Sequence, residues 1–92
     1  MSTLLLHLHL RFEYFDAVKR GEKTEEFRAC TPFNTALLAK APFAGIKLYR
    51  GYPKDSDHAS ILNLSWRGYE ERIITHPHFA NKPTRVFAIK LR

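Results

Sequence analysis

The sequence predicts a small α+β fold in which five or six strands close into a β-barrel carrying two short helices, and three observations lead to it. Leucines at alternate positions open the chain, two short helical patterns with explicit stop or start signals follow, and the remainder reads as alternating strands. Residues 3 to 10 set Leu4, Leu6, Leu8 and Leu10 against Leu5, His7 and His9, a strand with one apolar face. Residues 12 to 20 place Phe12, Phe15 and Val18 on one side of a helix that Gly21 ends through a left-handed cap. A short strand follows on which alternate side chains share a face, so Glu26 and Arg28 point the same way. Lys23 has the opposite parity and joins them only if the turn after Gly21 redirects it. Thr31-Pro32 is an N-cap with a first-turn proline, and Phe33, Leu37 and Leu38 supply a second short helix that closes before Pro42. Downstream, Ile46, Leu48 and Arg50 alternate with Lys47 and Tyr49, then Leu62, Leu64 and Trp66 alternate with Ile61, Asn63 and Ser65. Gly68 marks a bulge or bend, and residues 69 to 75 and 85 to 91 complete the sheet with Phe87, Ile89 and Leu91 toward the core. A barrel is the natural closure for so many short strands with helices packed across an opening.

Length and composition place the chain independently. Ninety-two residues and 10.7 kDa make one domain, 1–92, near the lower comfortable size for a single unassisted core, and 45% hydrophobic residues argue against wholesale disorder. One cysteine, Cys30, excludes an internal disulfide and fits a reducing cytoplasm. Leu4-Leu5-Leu6 is followed at once by His7, His9 and Arg11, so it is too short for a signal segment or a membrane span. The expectation is a cytoplasmic protein without a membrane partner. Net charge is +6, and residues 31 to 92 supply all of it, which suits attraction to phosphate and salt-dependent contact with nucleic acid.

Chemistry is concentrated in Gly21-Glu22-Lys23-Thr24-Glu25-Glu26-Phe27-Arg28. A Lys held beside an Arg in a partly dry cleft is suited to act as base or nucleophile, with Glu26 as its partner; the plainer alternative is a solvated strand end with an ion pair. Aromatic and basic residues interleave in Tyr49-Arg50, in Tyr52 near Lys54 and in Trp66-Arg67, a composition suited to single-stranded RNA or a nucleoside, because bases stack on rings while cations meet phosphate. Trp66 shares the parity of Leu62 and Leu64, so a core position is its alternative, whereas Tyr49 and Tyr52 are the better contacts. The polar loop 53–58 is read as a flap over the cleft. His7 and His9 share a strand face and His76 and His78 flank Pro77, but zinc needs three or four converging ligands, so no metal is expected and the pairs read as a wet strand face and a polar loop. No nucleophile elbow and no glycine-rich phosphate loop is present, and no cofactor is expected.

The run from Tyr14 to Arg28, with Gly, any residue, Lys, two of any kind, Glu, any, Arg after a short helix, resembles the signature of the ASCH family. Gly51-Tyr52-Pro53-Lys54 and Arg67-Gly68-Tyr69-Glu70 resemble stretches of its short members, so the likeness spans essentially the whole chain. It implies a PUA-like β-barrel and an RNA or modified-nucleoside partner. It also implies hydrolytic activity of one of two kinds, ribonuclease or acylated-cytidine amidohydrolase, with a non-catalytic RNA-binding module as the rival. In the deacylase branch a Thr stands three residues after the Lys, where this chain has Glu26, and a distant acid completes the set, for which Glu70 or Glu71 is the candidate. In the ribonuclease reading Lys23 and Arg28 stabilise the phosphate, Glu26 orients Lys23 or takes the proton, and Tyr49 or Tyr52 holds the base. Catalytic candidates are therefore Lys23, Glu26, Arg28 and Glu70; substrate-binding candidates are Tyr49, Arg50, Tyr52, Lys54, Trp66 and Arg67.

Overall fold

Alternation carries straight into the first strand. In the computed structural model, which describes residues 3–92 and so leaves residues 1 and 2 of the expected domain outside the described residues, β1 runs Leu5–Leu10 with Leu6, Leu8 and Leu10 buried and His7 and His9 outward. Helix α1 (Phe12–Lys19) turns Phe15 and Val18 inward. It stops where the Gly21 N–H donates to Val18 O at 3.0 Å and the Glu22 N–H to Ala17 O at 2.9 Å, a reversal that needs the left-handed backbone of Gly21 (φ 81°). The Lys23 N–H also donates to Ala17 O, so the chain leaves the helix at a fixed angle before β2 (Glu25–Ala29) begins. Helix α2 (Pro32–Leu38) is capped by the Thr31 hydroxyl, which accepts from the Asn34 N–H. Strands β3 (Gly45–Arg50), β4 (Ile61–Leu64), β5 (Tyr69–Ile74) and β6 (Thr84–Lys90) follow, with single 3₁₀ turns at His58–Ser60 and Pro77–Phe79.

The six strands form two three-stranded sheets, ordered β1-β3-β4 and β2-β6-β5, in which only β1 and β3 run parallel. The α+β class with two helices holds, but the expected barrel does not close. A barrel needs an uninterrupted ladder, whereas β1 pairs only with β3 and β2 only with β6. Leucines of β1, Ile46 and Leu48 of β3, Phe87 and Ile89 of β6, Leu91 and the inward side of α1 form one core between the sheets. Fully burying a side chain such as Phe15 contributes roughly 2–3 kcal/mol.

Two aromatics depart from the periodic expectation. Phe12 is 56% exposed, its ring lying under the Arg50 guanidinium at 4.1 Å and against Gly51, and Phe33 is 77% exposed because the seven residues of α2 turn only Leu38 fully inward.

Candidate functional site

Antiparallel pairing sets Glu26 opposite Ile89 and Arg28 opposite Phe87, so two charged side chains stand on the face of β2 that points to the core. Glu26 is the sole polar or charged residue among the buried described residues, at 6% exposure. Its carboxylate is held on both sides: the Lys23 ammonium lies 3.4 Å from Oε1, and the Arg28 guanidinium donates from Nε to Oε2 at 3.1 Å, with Nη2 in ion-pair contact 2.9 Å from the same oxygen. Lys23 thus reaches Glu26 despite its parity, because the reversal at Gly21 redirects it. The Lys23 ammonium also stands over the rings of Tyr14, 5.2 Å away, and Phe27, 5.3 Å away, which keep it on the π faces instead of in bulk water. Arg28 Nη2 further donates to His9 O at 3.1 Å, so a side chain joins β2 to β1 where a closed barrel would have a backbone bond.

These residues form one wall of a cleft of about 300 Å³ at the seam between the free edges of β1 and β2. Because β2 is an edge strand, residues from both its faces line the cleft, Glu26 and Arg28 together with Phe27 and Ala29. His9, Leu10 and Arg11 enter from the end of β1, Tyr14 from α1 and Asn34 from α2. The rest of the lining is His76, His78 and Phe79 from the turn between β5 and β6. Tyr14 links the two halves: its ring meets His76 and His78 edge-on at 6.4 and 6.5 Å while its face carries Lys23. The His78 N–H donates to His76 Nδ1 at 3.0 Å, which leaves His76 Nε2 as the nitrogen that carries hydrogen in the neutral ring. Three cations (Arg11, Lys23, Arg28) against one carboxylate (Glu26) give the lining an excess of positive charge, suited to an anion or a developing oxyanion.

The other expected residues lie apart from this cleft. Glu70 is on the opposite face of the β5 sheet, opposite Ala88, where Lys90 at 2.8 Å and Arg72 at 3.4 Å hold its carboxyl below the usual carboxylate range, so the distant-acid role finds no support in its position. Arg50 forks onto Asp16 at 3.0 and 3.3 Å and covers Phe12, a structural engagement. Trp66 packs edge-on to Phe43 at 5.0 Å against the core, as its strand parity allowed. Tyr49 stacks one face on His9 at 4.5 Å and its hydroxyl lies 2.8 Å from His7 Nδ1, so both the ring and its polar tip are engaged within the protein. Tyr52 stacks on His9 and is 88% exposed, and Lys54 and Arg67 are exposed without a side-chain partner among the described residues. Loop 53–58 contributes nothing to the cleft lining.

Sequence reasoning missed Arg11, Tyr14, Asn34, His76 and His78. The available signal for the histidines was the long 75–83 connection, since loops that exceed a tight hairpin often carry function. Among the described residues no group of three or more metal-ligating side chains converges, and no helix is long and apolar enough to cross a membrane. No family model, curated protein or solved structure matches the chain.

Proposed function

We propose that this chain is an ASCH-type, PUA-like protein that acts on RNA or a modified nucleoside in the cytoplasm, with hydrolysis at the Lys23–Glu26–Arg28 cluster. The observation that carries the reading is the buried Glu26 carboxylate gripped by Lys23 and Arg28 on the wall of a cleft of nucleoside size. The side-chain bridge from Arg28 to β1 supports describing the two sheets as an opened relative of the PUA-like barrel.

In amide hydrolysis the oxygen of water bonds to the acyl carbon, the carbon–nitrogen bond breaks, and the exocyclic amine of cytidine leaves with a proton. In RNA cleavage the 2′-oxygen bonds to phosphorus and the 5′-oxygen leaves with a proton. Both routes build negative charge on oxygen, which Lys23 and Arg28 stabilise without reorganisation because Glu26 already fixes them. Both also need a group to accept one proton and another to return it. Glu26 retains acceptor capacity on Oε1, and His76 and His78 supply imidazoles in the same cleft.

One observation favours a non-catalytic RNA-binding module instead: both Glu26 oxygens are already engaged, as in a fixed charge cluster that only holds an anion. Incubation of the protein with N4-acetylcytidine and, separately, with unstructured RNA, each read by mass spectrometry against Lys23→Ala, decides between them. Cytidine or RNA fragments that disappear in the variant establish hydrolysis and its type. RNA retention without turnover, lost at high salt, establishes the binding module, and neither product nor retention overturns the proposal.

A further inference from the structure

Four rings stand in series on the outer face of the β1–β3–β4 sheet. His7 lies beside Tyr49 at 5.9 Å and 19°, Tyr49 stacks on His9 at 4.5 Å and 15°, and His9 on Tyr52 at 4.3 Å and 15°. His7 Nδ1 lies 2.8 Å from the Tyr49 hydroxyl, so His7 meets the hydroxyl edge of that ring, and the close stacks are those of His9 on Tyr49 and on Tyr52. His9 belongs to the series and to the cleft wall alike, which puts the Tyr52 end, not the His7 end, one ring away from the cleft.

The Tyr52 end is built. His9 Nδ1 donates to Gly51 O at 2.8 Å, which fixes both the ring plane of His9 and the backbone that presents Tyr52. Gly51 itself has φ 65°, and a Cβ there would stand 2.7 Å from the Phe12 ring, so the turn is specified by a residue without one. Tyr52 is nevertheless 88% exposed, and among the described residues His9 is the ring that stacks on it. The outward positions of β1, β3 and β4 carry no carboxylate among the described residues, and Lys47 stands 6.0 Å from the Tyr49 ring. A flat, uncharged ring face on a pre-ordered stack, two residues before Lys54 and beside a sheet face without carboxylates, suits an unpaired base with its phosphate, while Asp55 and Asp57 belong to the loop that follows.

We infer that the outer face of Tyr52 is a second nucleotide subsite: the cleft takes one nucleotide of a single-stranded polynucleotide and Tyr52 stacks the base of its neighbour. The inference rests on the RNA- or nucleoside-directed reading above and narrows it to a substrate longer than a nucleoside.

Titration calorimetry with a uridylate pentamer and with N4-acetylcytidine tests it on wild type, Tyr52→Ala, Tyr52→Trp and Lys23→Ala. The wild type is expected to bind the pentamer more tightly than the nucleoside, Tyr52→Ala to weaken the pentamer about tenfold while leaving the nucleoside unchanged, and Tyr52→Trp to restore it. Because Tyr52 is exposed, its replacement leaves folding intact, which a thermal melt checks. Pentamer affinity preserved in Tyr52→Ala, or an equal loss for both probes, overturns the subsite. If Lys23→Ala loses the probes while Tyr52→Ala keeps them, the subsite alone falls; if wild type binds neither probe, the functional reading falls with it.

Discussion

Glu26 shows how much a single carboxylate can organise. It is buried, it faces the core, and it stands between two cations on one wall of the cleft. Replacing it by Gln preserves shape but leaves the Lys23 ammonium and the Arg28 guanidinium without a counter-charge. Both cations retain some exposure, so the loss falls below that of a fully buried pair. Glu26→Gln is expected to destabilise the protein by about 2 kcal/mol, read as a lower urea midpoint at pH 7, and an unchanged midpoint contradicts the organising role. The grouping of Lys23 and Arg28 with Glu26 was legible because their charge and spacing are local properties of the chain. The engagement of Tyr49 by His7 and His9, and the removal of Glu70 to its own ion-pair group, depend on which strands become neighbours, and no local spacing reports that.

At the scale of elements, the reversal after α1 decides where Lys23 goes. Gly21 has open space where a Cβ would be built, so its requirement is conformational alone. Gly21→Ala is therefore expected to cost about 1 kcal/mol, the penalty of an L-residue in the left-handed region, with the same fold by circular dichroism. At Gly51 the same change adds a clash with Phe12 to the backbone penalty, so Gly51→Ala is expected to lower the urea midpoint further than Gly21→Ala. An equal or smaller effect at Gly51 contradicts the close packing of Phe12 on that turn. The elements themselves were readable because periods of two and of 3.6 are written in Leu4 to Leu10 and in Phe15 and Val18. Their division into two sheets was not, since it depends on whether the edges of β1 and β2 pair, and there Arg28, not a backbone ladder, makes the crossing. His76 and His78 were overlooked for the same reason: only the return of the 75–83 connection over the β2 edge brings them to Lys23.

For the whole molecule, charge acts in two regimes that titration and salt separate. Asp16 has its carboxyl held below the usual range by the Arg50 hydrogen bonds, and Glu70 and Glu22 are lowered by Lys90 and by Arg20. A carboxylate with a folded pKa below its unfolded one contributes stability that is present above about pH 4 and is lost as pH falls through the folded value. Wild type and Asp16→Asn are thus expected to differ in urea midpoint at pH 7 and to converge toward pH 2; a constant gap contradicts the Asp16–Arg50 contribution. Arg50, Lys90 and Arg20 are each matched by a carboxylate, whereas Lys23 and Arg28 share one, so the binding field of the +6 chain falls to that pair and to cations without an acidic partner among the described residues, such as Arg11 on the cleft wall and Lys54 two residues after Tyr52. Each phosphate contact on a single strand contributes about 0.7 to the slope of log affinity against log salt. Arg11→Gln and Lys54→Gln are each expected to reduce that slope by about 0.7 for the uridylate pentamer, since each removes one cation beside a proposed nucleotide position. A slope unchanged in both variants would separate these cations from the ligand and leave the net charge as a long-range attraction that places no phosphate.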